Sequence, residues 1–203
     1  MNNISIILFS IFFLSYSEFS NLNANDNDIL TSEDHCVAYS TPEKILFFPE
    51  YQVIGKSCEI KARMENNLNQ SRFVVSFPLE SLDSGISSRD DDVMEILDAA
   101  NFPNVFFKTS WLSKEQINKI LSDGKGDVNG TLVVSGNEYY ISIRVFIFRK
   151  REHFRIKGSF GTNYSFFNLT PPKLGFFAEV LNIINIFFNL KSEKIIDFEK
   201  DYK

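Results

Sequence analysis

Histidine, cysteine and tryptophan are scarce in this chain. Its 203 residues include two His, two Cys and one Trp. His35 lies in a polar stretch and His153 in a basic loop, Arg149-Lys150-Arg151-Glu152-His153. Neither stands in a pattern that activates a nucleophile. There is no CxxC, no metal-ligand spacing and no redox motif. A surplus of positive charge is also missing: 21 Lys and Arg face 26 Asp and Glu, a net charge of −5. That balance argues against nucleic acid as a partner, because no basic surface is available to neutralise phosphates. Internal repeats and a second composition regime are absent, so one domain is the economical reading. No Lys or Arg precedes the apolar run over 4–16, and no small-residue box of the lipoprotein type precedes Cys36.

The run over 4–16 still reads as an export signal, being too short for a comfortable spanning helix. Cleavage falls after Ser17 or after Ala24, with Ala24 preferred; an uncleaved anchor is the alternative. Once the signal is removed, no stable membrane span is expected. The resulting division is a signal peptide over 1–24, a polar leader over 25–40, a barrel over 41–192 and a charged tail over 193–203. In an oxidising compartment Cys36 and Cys58 could close one loop, contributing roughly 2–4 kcal/mol. Two unrelated thiols are the other reading, and sequence cannot fix the geometry.

Phenylalanine is abundant, at 22 residues, which suits strands around an apolar interior. After residue 36 the dominant period is two. Strands are expected over 44–48, over 52–64 with a bend near Gly55, and over 72–79 with Phe73, Val75, Phe77 and Leu79 on one face. Ser88 is placed to cap a helix over 89–100, with Val93, Ile96, Leu97 and Ala100 as its stripe and Asp90, Asp91 and Asp92 in its first turn. A strand over 104–111 puts Val105, Phe107, Thr109 and Trp111 on one face. Ser113 and Gln116 have the spacing of a capping box, and Gly124 is placed to end that helix. Strands over 127–134 and 139–148 pair across a turn at 135–138; strands over 154–160 and 177–190 follow. These make about eight antiparallel strands and one or two short helices.

Three motifs carry a family resemblance. The first is FPLESLDSG from Phe77, then Arg89-Asp90, then FPNVFF from Phe102; the second is Gly130-Thr131-Leu132-Val133-Val134-Ser135-Gly136; the third is Phe166-Phe167-Asn168-Leu169 followed by residues 179–190. Their order and spacing resemble the YceI-like family, periplasmic lipocalin-like proteins that bind polyisoprenoid or other long-chain lipids. The resemblance implies an all-β fold, an eight-stranded antiparallel lipocalin-like barrel, and a periplasmic or secreted location. It covers about 45–190. Departures are visible: Asp92 stands where many members carry a His, Asn182 and Ile183 replace an acidic dipeptide, and the opening strand is not recognisable.

The inward faces are the candidate site. In the central hairpin Ile141, Ile143, Val145 and Ile147 alternate with Ser142, Arg144, Phe146 and Phe148; in the last strand Ile184, Ile186, Phe188 and Leu190 alternate with Asn185, Phe187 and Asn189. Pattern alone reads such faces as a filled core; the resemblance implies a hollow lumen. Its expected lining is Phe77, Phe107, Trp111, Leu132, Val134, Ile143, Val145, Ile147, Phe160, Ile184, Ile186 and Phe188, with Arg89, Asp90, Val93 and Leu97 at the mouth or lid. The function implied is binding, sequestration or transport of an amphiphilic isoprenoid-type lipid, a polyprenyl compound or a quinone, without catalysis or cofactor. The alternative is a ligand-free structural or interaction module of the cell envelope. Outward Phe146, Phe148 and Phe187 suggest a homodimer surface or a contact with another element of the barrel, with a packed helix as the alternative.

Overall fold

The computed structural model describes residues 29–31, 34–172, 178–198 and 202. The expected signal peptide lies outside them, as does Phe177. The described chain is an all-β barrel with two helices. Its strands are β1 Cys36–Ile45, β2 Tyr51–Ser57, β3 Lys61–Asn67, β4 Gln70–Pro78, β5 Asn104–Thr109, β6 Leu112–Ser113, β7 Lys125–Val134, β8 Asn137–Lys150, β9 His153–Thr162, β10 Ala178–Val180, β11 Ile184–Lys191 and β12 Ile195–Ile196. Helix α1 is Ser87–Ile96 and α2 is Lys114–Asp123.

The sheet runs β10-β1-β11-β9-β8-β7-β5-β4-β3-β12, with β2 on β1 and β6 on β4. Every pairing is antiparallel except β12 on β3. Nine strands have six or more residues, one more than expected, because the stretch over 52–64 is two strands. The break is at 58–60, not at Gly55, and Cys58 is tied there to Cys36 by a disulfide. Among the described residues no ladder joins β2 to β3. Lys56 and Asp83 exchange backbone hydrogen bonds at that seam, at 2.9 and 3.0 Å, so the wall is not closed by strand pairing throughout.

Local chemistry explains the regular parts. The β7–β8 hairpin turns on Ser135 and Gly136, with φ of 49° and 72°, a two-residue loop whose twist matches the strands. In α2 the Ser113 hydroxyl accepts from Gln116 N, the Gln116 side chain accepts from Ser113 N, and Gly124 ends the helix at φ 69°. α1 departs from its expectation. Ile86 is its N-cap and no side chain caps it. Asp90 Oδ1 instead accepts the Ser84 amide, 3.0 Å away. The helix stops at Ile96, two residues before Asp98 turns left-handed at φ 50°; Ala100 is exposed and its neighbour Ala99 is buried.

Described residues of both the expected leader and the expected tail pack into the fold. β1 starts inside the supposed leader and pairs with β2, β10 and β11. Leu30 covers Phe187 on the outer side of the sheet, with Cys36 and Ala38. Phe187 is therefore packed inside the protomer, not offered to a partner. In the supposed charged tail Phe198 is 1% exposed and meets Phe73, Phe154 and Tyr202.

Candidate functional site

Period-two alternation gives each long strand one face toward a common interior. Ile141, Ile143 and Val145 are buried on β8, whereas Phe146 and Phe148 stay exposed on its other face. The interior encloses a cavity of about 380 Å³ with an almost wholly apolar wall.

Three aromatic–glycine pairs keep aromatic rings against that wall. Tyr39 is paired with Gly55, and Phe188 with Gly158, directly across their ladders; Phe107 lies over Gly130 on β7. A Cβ at these glycines would sit 2.3, 2.4 and 2.5 Å from the ring atoms, far inside contact distance. The missing side chains let the rings lie flat on the neighbouring strand.

The two ends differ. At one, α2 and the C-terminal segment contribute Ile117, Ile120, Leu121, Ile195 and Phe198 to the lining. At the other, Ser135 Oγ donates to Leu97 O, 2.9 Å, beside α1. There α1 contributes Val93, Ile96 and the charged Arg89 and Asp92, and its C-cap contributes Leu97. Arg89 Nη2 stands 3.5 Å from Glu43 Oε2, linking α1 to β1. Tyr39, Thr41 and Tyr164 complete the polar lining at this end. Burial pushes the Tyr39 hydroxyl up to about 12, with Asp90 and Tyr164 adding to the rise. Burial also raises Tyr164, opposed by its hydrogen bond to Thr41.

Phe77, Phe107, Leu132, Val134, Ile143, Val145, Ile147, Phe160, Ile184, Ile186 and Phe188 all fall on the cavity wall, as do Arg89, Val93 and Leu97. Trp111 does not. β5 ends at Thr109, and the next segment resumes on the same partner, β4, one residue out of register. Thr109 and Leu112 are both buried, so the alternation slips by one residue between them. Trp111 is left outside with the Arg72 guanidinium 4.7 Å above its ring. Asp90 also stands off the wall, held by the Ser84 amide. Sequence reasoning missed Tyr39, Thr41, Glu43, Tyr164 and Phe198. The first three lie on β1, where four consecutive residues, 40–43, are buried and no alternation marks an inward face. His35 and His153, the only imidazoles, lie outside the cavity lining.

The model of the YceI-like domain matches residues 46–192. No curated protein matches the chain. Solved structures that resemble it include BcnA of Burkholderia cenocepacia, at 17% identity and TM-score 0.56, covering 77% of this chain and 95% of that one. A YceI protein of Campylobacter jejuni aligns at 16% identity and TM-score 0.55, covering 73% and 88%. A polyisoprenoid-binding domain from Saccharophagus degradans, implicated in plant cell wall breakdown, aligns at 11% identity and TM-score 0.55, covering 76% and 92%. At these identities the likeness is one of fold.

Proposed function

Because the chain belongs to the YceI-like family, we propose that it binds an amphiphilic isoprenoid-type lipid, a polyprenyl compound or a quinone, and sequesters or carries it. The observation that carries this reading is the apolar cavity of about 380 Å³. Each buried methylene contributes about 0.8 kcal/mol, so a long tail binds well with few polar contacts. Phe77, Leu132, Ile143, Val145, Ile186 and Phe188 would hold the tail, with the head near Arg89 and α1 over the opening. No covalent step is implied, and the protein acts as a binder in the periplasm or outside the cell. The polyisoprenoid-binding domain of Saccharophagus degradans, alike in fold, supports the ligand class. The ligand-free module is disfavoured by the open lumen.

Native mass spectrometry of protein purified from its own host tests the reading. A co-purifying lipid is expected, and Ile143→Trp, which fills the lumen, should abolish it. A consistently empty wild-type barrel overturns the proposal.

A further inference from the structure

Resting on the lipid-binding reading, we propose that the mouth selects an uncharged, hydroxyl-bearing head group and rejects a phosphorylated one. Most of the polar lining is gathered at α1 and the end of β1, as Tyr39, Thr41, Glu43, Arg89, Asp92 and Tyr164. Glu43 is 4% exposed. Burial and the neighbouring Glu43 carboxylate raise the Tyr51 hydroxyl, and Glu43 Oε2 has no hydrogen-bond partner among the described residues. Arg89 Nη2, 3.5 Å from it, is a charge partner only. The Tyr39 hydroxyl is also buried without a partner, and it feels the charges of Asp90 and Arg89. An acceptor 3.5 Å from Arg89 and a donor that feels the same charge are thus both withdrawn from water and both open.

Buried polar groups are satisfied as a rule, and both of these line the cavity, so a ligand atom is assigned to them. A hydroxyl suits both groups: it donates to Glu43 and accepts from Tyr39 or Arg89. A phosphate has acceptors only at neutral pH and offers Glu43 nothing. It would also meet an unfavourable field. α1 carries Asp90, Asp91, Asp92 and Glu95 against the single cation Arg89, whose charge Glu43 already offsets. Like charges brought together away from bulk water repel strongly.

Farnesol and farnesyl phosphate, competing with a fluorescent apolar probe bound to the purified protein, decide the matter. Farnesol should displace the probe at a concentration lower by about tenfold or more. Glu43→Gln should narrow that gap by improving the phosphate. Tyr39→Phe should weaken farnesol several-fold with no loss of Tm, since the hydroxyl bonds nothing among the described residues. Farnesyl phosphate binding as tightly as farnesol overturns the proposal, and so does an unaltered farnesol affinity in Tyr39→Phe. The headless hydrocarbon farnesane separates the two levels of inference. If it binds as well as farnesol, head selection fails and lipid binding stands. If none of the three compounds displaces the probe, both fail.

Discussion

His35 is 6% exposed against the end of β11, where its Nδ1 accepts the Lys191 amide at 3.0 Å. That bond needs an unprotonated nitrogen. Burial holds the imidazole down to about 4, with the Lys194 charge next in effect. The unfolded chain takes up the proton near 6.5, so between 6.5 and 4 the unfolded state binds more protons than the folded one. Stability from this residue is therefore complete above 6.5, falls as pH drops through the window, and falls no further below about 4. The total is roughly 3 kcal/mol at most. Urea unfolding from pH 7 to 4 should show this slope in the wild type and a flatter one in His35→Asn, whose amide oxygen can take the Nδ1 bond. Equal slopes would refute the assignment. Residues like this one are hard to read from sequence. His35 and Leu30 sit among acidic and polar neighbours and look solvated until β11 and Phe187 are brought beside them. Glu43 is similar: a carboxylate is expected in water, and only its place inside the barrel shows otherwise.

Elements with local signals were legible. The capping box and closing glycine of α2 lie within eleven residues of one another in the chain, from Ser113 to Gly124, and the β7–β8 hairpin is set by Ser135-Gly136 and strict alternation. β1 was missed because it carries Ser40, Thr41, Pro42 and Glu43 in sequence, all buried, and so lacks an apolar–polar rhythm; strands on both its sides cover it. Trp111 was misplaced for a related reason, since a one-residue slip reverses every side chain beyond it. The glycines opposite aromatics give the element scale its own test. At Gly158 a Cβ would stand 2.4 Å from the Phe188 ring and 2.8 Å from Arg144 O. Gly158→Val should force the ring toward the lumen, costing about 1–3 kcal/mol and weakening lipid binding. Adding Phe188→Leu should recover part of both losses, in a double-mutant cycle read by urea unfolding and probe displacement. Purely additive effects would show that ring and glycine are not coupled. The same argument places Gly55 beneath Tyr39, so this sheet detail also fixes the hydroxyl proposed to meet the ligand head.

At the scale of the molecule, the two barrel ends are packed differently, and under the lipid-binding proposal the α1 end is the one that opens. Phe198 and Tyr202 stack at 5.5 Å beneath the lumen, and α2 sets Ile120 over Gly126, where a Cβ would be 2.6 Å away. Phe198→Ala should cost about 3–5 kcal/mol, the usual penalty for deleting a buried aromatic side chain, read as a lowered urea midpoint with unchanged m. α1 is held less firmly, with Met94 and Leu97 only half-buried against the core. It has no side-chain N-cap and no buried residue; Arg89–Glu43, at 3.5 Å, is its ion pair to the barrel wall. Local opening free energy follows buried contacts and secured hydrogen bonds, so α1 should open far more readily than α2 or β8. A tail can then reach the lumen by displacing α1 without unfolding the barrel. Hydrogen exchange followed by mass spectrometry gives the expected order: α1 amides exchange first in the free protein, α2 amides later, and β8 amides close to the global limit. Bound farnesol should slow α1 selectively, because Val93, Ile96 and Leu97 gain an apolar partner on the cavity side. Arg89→Ala should speed α1 exchange while leaving α2 unchanged. If α1 proves as protected as α2 in the empty protein, this end is not the door, and access would have to be sought at the unpaired seam between β2 and β3.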